Sequence, residues 1–162
     1  MEKITKIVCL ILNILAWAVF VLGLIRLLVA WNTLPDEIGI HFTSDGNFDA
    51  RRSKLLAFYP YIISLLALAF FGICGFFSNK IKSGLKISSK GDVIIRQQIR
   101  LSIYIIQFNV VFFFSGEWAD AVIRQRQLNT VIPVLSMYIF MLLLLLLVIS
   151  IVIVRFTCKK KE

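Results

Sequence analysis

Apolar residues along this chain are gathered in long blocks, without the 3.6-residue period of an amphipathic helix or the two-residue period of a half-buried strand. The first block, Ile7 to Ala30, is broken only by Asn13 and Arg26 and stops at Trp31, an aromatic suited to a membrane boundary. Its length exceeds the roughly 7–15 apolar residues of a cleaved signal peptide, so a retained helix is predicted. A second block covers 58–77, with Tyr59, Pro60 and Tyr61 at its start, where an early proline and amphipathic rings are tolerated. The third is the weakest, because Leu101 to Phe114 alone falls short of a hydrocarbon layer of about 30 Å. Starting the helix near Asp92 as a cap adds Val93, Ile94, Ile95 and Ile99, lets Arg96 and Arg100 reach headgroups, and gives a span over 94–115. The fourth, Val131 to Val154, follows Asn129 or Thr130 as a cap and carries Pro133 in its first turn. The pattern predicts an all-α integral membrane protein: one membrane domain over 1–162 with transmembrane helices 7–30, 58–77, 94–115 and 131–154.

Between the first two blocks the pattern changes. Ile38 to Phe42 reads as a short strand, Asp45-Gly46 as a tight turn requiring positive φ, and the chain returns through Phe48. A small β-hairpin on the outer surface is the expectation.

Composition agrees with the blocks: 59% of residues are hydrophobic and only 17% charged, well beyond an ordinary soluble domain. A formal charge of +9 invites a nucleic-acid partner until the cations are placed. Lys3 and Lys6 in the N-terminal tail, six Lys and Arg between Lys80 and Arg100, and Arg155 with Lys159, Lys160 and Lys161 make twelve on one side. Arg51, Arg52, Lys54, Arg124 and Arg126 make five on the other, and Arg26 lies within the first block. By the positive-inside rule both termini and the middle loop are cytoplasmic, and no nucleic-acid groove is needed to explain the charge. Cys9, Cys74 and Cys158 fall toward the reducing side, with no disulfide or zinc spacing. The cationic run from Asn79 to Lys90 suits contact with anionic lipid.

Small and amide side chains mark where helices meet in lipid. Asn13, Ala16 and Gly23 do so in the first helix and Ala67, Gly72 and Gly75 in the second; Ser102, Asn109 and Gly116 recur at seven-residue spacing in the third. Arg26 and Asn109 are the intramembrane polar residues to watch. Arg26, near the outer boundary, is expected to reach headgroups or pair with Asp36, Glu117 or Asp120.

The outer segment carries Leu34, Pro35, Ile38, His41, Phe42, Gly46, Asp49 and Lys54 in order, leading into Pro60 and the second span. In this it resembles the bacterial membrane family known as domain of unknown function 1648, over residues 10 to 75. Gly39 stands where that family usually has proline and Thr43 where it usually has asparagine. The same unit opens the Sdp-type immunity proteins, multispanning proteins that protect a cell from a toxin, although their later signature is missing from residues 100 to 162. The resemblance implies a multi-pass protein of the bacterial plasma membrane, with the motif residues as a structural cap or ligand surface.

His41, the sole histidine, lies among Asp36, Asp45, Asp49 and Glu117 as candidates for a metal or acid–base site, but a ring bonded to the hairpin or to Asp49 is the simpler expectation. No Ser/His/Asp order, His-Glu-x-x-His pair or phosphate loop is present, so no catalytic residue, metal ligand or cofactor is assigned. The leading expectation is a non-enzymatic protein that senses, or gives immunity to, an extracellular peptide. Its partners are then the bilayer and that peptide or another membrane protein. A small transport subunit using Arg26, Gln107 and Asn109, and a metal-dependent enzyme at the outer surface, are the alternatives.

Overall fold

The computed structural model describes residues 2–78, 89–129 and 131–157. The chain is mostly helical, with one small antiparallel sheet. Helix α1 runs Glu2–Ala30; strands β1 (Glu37–Phe42) and β2 (Phe48–Ser53) follow, then α2 (Tyr59–Phe77). Helix α3 (Ser89–Val111) passes through a π-helical stretch, Phe112–Trp118, into the short α4 (Ala119–Arg124), and α5 covers Val131–Thr157. Counting the flanking turns, Glu2–Thr33, Lys54–Phe77 and Ser89–Arg124 are long and apolar enough to cross a membrane, and α5 contains the apolar stretch Met141–Val154.

The third helix exceeds the expected 94–115 at both ends. It begins at Ser89, so Asp92 sits inside the first turn, 3.2 Å from Arg96, instead of capping it. Beyond Val111 the backbone does not break at Gly116 but widens to π geometry, then resumes α geometry until Gln125 turns left-handed at φ 50°. The Gln125 and Arg126 amides cap the last carbonyls of α4, those of Val122 and Ala121. For α5, the Asn129 side chain accepts the Val131 amide at 3.0 Å, as the sequence suggests. Thr130, the basic run 79–88 and the tail from Cys158 lie outside the described residues.

Helix α3 is the central element, packed against α1, α2 and α5. Ala16, Ala67, Leu68 and Val111 form the mid-level core. Ile95 and Val154 anchor α5 at the end away from the hairpin, where Gln98 Nε2 also donates to Ser150 Oγ at 2.8 Å. Two glycines let helices approach closely. A Cβ on Gly23 would stand 2.4 Å from the Ser115 carbonyl oxygen, and one on Gly75 would meet the Tyr104 ring at 2.7 Å. Gly72 has open space around it, so that member of the small-residue set is not a contact. Nor do Ser102 and Gly116 share a face: Ser102 lines a gap toward α5, whereas a Cβ on Gly116 would lie 3.8 Å from Val19 of α1. The wider π turns between Asn109 and Gly116 rotate the helix face, and this breaks the seven-residue spacing.

Gly23→Leu is expected to lower stability by about 1–3 kcal/mol, the usual cost of forcing volume into a filled contact, whereas Gly72→Ala is tolerated. Thermal unfolding of both variants in detergent micelles checks the contrast.

Candidate functional site: the cap at the hairpin end

The hairpin is short, and a two-stranded sheet alone is marginal in water. What holds it is a core in which Ile38 and Leu34 pack with Leu27 of α1, Ala57 and Tyr61 before and within α2, and Ala119 and Val122 of α4. Ile38 is fully buried, which contributes about 2 kcal/mol to docking the strand. Rings close the periphery: Phe42 lies 4.5 Å from Phe48 and 5.9 Å from Trp118, centroid to centroid. Tyr61 donates its hydroxyl hydrogen to the Gly23 carbonyl at 2.7 Å, tying α2 to α1 beneath the cap.

The turn is built as Asp45-Gly46 predicts. Gly46 takes φ 79°, its amide donates to Thr43 at 2.9 Å, and the Thr43 amide donates to Asn47 at 2.8 Å. Glu37 pairs with Ser53 and Phe42 with Phe48, with irregularities on both sides of His41. The segment after α4 then docks on the hairpin. The Leu128 amide donates to the Gly46 carbonyl at 2.9 Å, the Gly39 amide to Gln125 Oε1 at 3.0 Å, and Gln127 Nε2 to Asn47 Oδ1. Proline at position 39 would remove the donor that Gln125 receives. Any Cβ there would also stand 2.3 Å from the Phe48 ring. Glycine thus serves this contact twice, through its amide donor and through its lack of a side chain.

Two sets of charges decorate the cap. On its outer face His41 Nδ1 and Asp49 Oδ1 are 2.5 Å apart, the ring nitrogen donating, and both side chains remain accessible. Lys54 Nζ lies 3.2 Å from Asp36 and 5.6 Å from the centre of the Trp31 ring. Between cap and helices, Asp120 is the hub: Arg26 of α1 reaches its Oδ1, Arg124 meets the same oxygen at 3.0 Å, and Arg126 meets Oδ2 at 2.9 Å. Arg126 also lies 3.6 Å from Glu117. The Asp120 side chain is only 13% exposed against 46% for Arg26, so the carboxylate is the more desolvated partner.

The motif residues read from the sequence therefore come together as one unit. Leu34, Ile38 and Phe42 fill it, Gly46 turns it, His41 bonds Asp49 and Lys54 holds Asp36. Pro35 is exposed. Asn109 lies elsewhere and donates to the Ile105 carbonyl of its own helix at 2.9 Å, while Gln107 donates to Asn13 Oδ1 at 2.9 Å across to α1. The sequence reading missed Tyr61, Gln125 and Gln127, which are polar residues whose partners are distant along the chain. Among the described residues no three of His, Cys, Asp and Glu come close enough to share a metal ion.

No protein-family model, curated protein or solved structure matches this chain. The cap offers an accessible, mixed-charge surface of about one hairpin, packed on the ends of α1, α2 and α4.

Asp120→Asn is expected to destabilise the protein by about 1–3 kcal/mol, less than for a fully buried pair because its arginines are partly solvated. A double-mutant cycle with Arg26→Gln, read by unfolding in detergent, should give a coupling energy of about 1 kcal/mol or more. Additive losses would mean that the two groups do not act together.

Proposed function

We propose that the chain is a multi-pass membrane protein of the bacterial plasma membrane, with four spans and cytoplasmic termini. On this reading its outer cap binds an extracellular peptide, either to sense it or to give immunity to it. The observation that carries the reading is the construction of the cap. It is fused to α1, α2 and α4 through Leu27, Tyr61, Val122 and the Asp120 ion cluster, yet leaves His41, Asp49, Arg51 and Arg52 accessible. An event at that surface is mechanically continuous with the helices. The twelve-to-five distribution of cations supports the orientation. The ordered Leu34-to-Lys54 motif supports kinship with domain of unknown function 1648, now with a physical meaning, since seven of its eight residues build the hairpin cap or tie it to the helices.

A transport path has less support. Arg26, Gln107 and Asn109, the residues it would use, are engaged with Asp120, Asn13 and their own helix backbone. Their role in packing accounts for them.

Topology is read by an impermeant thiol reagent on intact cells, relative to the parent chain: Ser44→Cys in the hairpin should label, and Lys90→Cys only after permeabilisation. For function, cells lacking the protein should become more sensitive to a secreted antimicrobial peptide. His41→Gln or Asp49→Asn should weaken protection by roughly tenfold, the worth of one charge-assisted hydrogen bond, at unchanged protein abundance. Unchanged sensitivity across a broad peptide panel would contradict the assignment.

A further inference from the structure

Strand β2 is the exposed edge of the cap. The sheet has two strands, and β1 is engaged on its outer edge by the segment after α4, through the Gly39 amide on Gln125. Among the described residues no third strand pairs with β2, and its Arg51, Arg52 and Ser53 are all exposed. The register fixes which backbone groups face outward. The Lys54 amide donates to the Asp36 carbonyl at 2.9 Å, and hydrogen-bonded and non-bonded pairs alternate along an antiparallel ladder. Glu37–Ser53 and Gly39–Arg51 are then non-bonded pairs, which leaves the Gly39 amide free to meet Gln125. Arg51 and Ser53 accordingly turn their own N–H and C=O groups away from β1. Arg52 Nη1 stands 3.4 Å from the Arg51 carbonyl, at the outer limit of a hydrogen bond, and an incoming amide would replace that contact.

Such an edge is a template for another strand, and charged side chains restrict what can pair with it. Neither guanidinium forms an ion pair among the described residues: Asp49 is held by His41 and Asp36 by Lys54, while Glu37 is diagonal to Arg51 in the register without pairing with it. Successive residues of a strand project to opposite faces, so Arg51 and Arg52 present one cation on each side of the edge. A second copy of β2 laid here would set arginine near arginine, which is unfavourable across a ladder, whereas carboxylates there are favourable.

We infer that β2 receives an extended extracellular peptide as a third strand, with neighbouring Asp or Glu side chains meeting Arg51 and Arg52. Backbone pairing with Arg51 and Ser53 supplies affinity, and the two cations supply the preference for acids. The inference rests on the reading of the cap as a peptide-binding surface, and adds to it the mode of binding and the chemistry of the peptide.

The test presents a displayed library of random linear peptides to the full-length protein in zwitterionic nanodiscs, with empty nanodiscs as counter-selection. Enriched sequences should carry adjacent acids and lack proline beside them. The captured peptides, made synthetically, should bind about threefold more weakly to Arg51→Gln or Arg52→Gln and lose affinity as salt rises. Methylating a peptide backbone nitrogen on the paired edge should weaken binding about tenfold, and methylating the next nitrogen should not. Arg51→Pro, which deletes an amide that the ladder does not use, should weaken binding further than Arg51→Gln; if that variant folds poorly, peptide methylation reads the same bond. Peptides that depend on His41 or Asp49 but ignore methylation and both arginines overturn strand addition and leave the cap as a peptide-binding surface. Capture of no peptide that depends on cap residues overturns both readings. A dimer that Arg51→Pro converts to a monomer assigns the edge to a second copy. Phosphatidylglycerol retention that needs both arginines, with no peptide effect, assigns it to the membrane, and either result overturns the inference.

Discussion

Large apolar side chains on the helices of this protein point away from its own core. Leu10, Leu22 and Leu28 of α1 are each more than half exposed, as are Leu66 and Phe70 of α2 and Leu142 and Leu145 of α5. The buried set is small and dominated by compact residues such as Ala16, Ala67, Ala119 and Ala121. In water an apolar surface this continuous would drive association, at a cost of about 25 cal/mol for each Å². Hydrocarbon removes that cost, and three helices have the length and hydropathy to lie in it. Within lipid, apolar side chains no longer favour helix–helix contact, so cohesion must come from close approach and from polar bonds. This is the economy of Gly23 against Ser115, Gly75 against Tyr104, Tyr61 to Gly23 and Gln107 to Asn13.

The same constraint explains the cap. Arg26 enters the apolar second half of α1 one turn from its end, where an unpaired guanidinium would be costly, and Asp120 answers it from the far end of the third helix. That pairing requires the third helix to continue past the expected 94–115 span, which it does through a π-helical stretch carrying the Phe112–Trp118 aromatics beside the hairpin. Ile38 is then covered from three sides, and the hairpin becomes a fixed part of the helix ends.

Much of this was legible in the sequence, for identifiable reasons. Apolar blocks locate the helices because their length and hydropathy are those of a membrane-crossing helix, and Asp45-Gly46 locates the turn because a left-handed residue there demands glycine. Position alone leaves Arg26 either the headgroups or three acids, and Asp120 is the acid that meets it. What stayed hidden depends on three-dimensional juxtaposition. Arg124-Gln125-Arg126-Gln127 reads as an ordinary polar connector, yet Gln125 and Gln127 bond to a hairpin about eighty residues earlier in the chain. A π-helical turn has no compositional signature, so the seven-residue spacing of Ser102, Asn109 and Gly116 suggested one face where the backbone makes two.

The claim on which the account turns is that the outward apolar faces lie in acyl chains, and nitroxide accessibility addresses it directly. Spin labels placed singly at Leu10, Leu22, Leu66 and Phe70 in reconstituted bilayers are read against molecular oxygen and a water-soluble nickel chelate. The account predicts high oxygen and low nickel accessibility, with the contrast greatest at positions nearest the bilayer midplane. High nickel accessibility at the labelled positions in the middle of these helices would place them in water and contradict it.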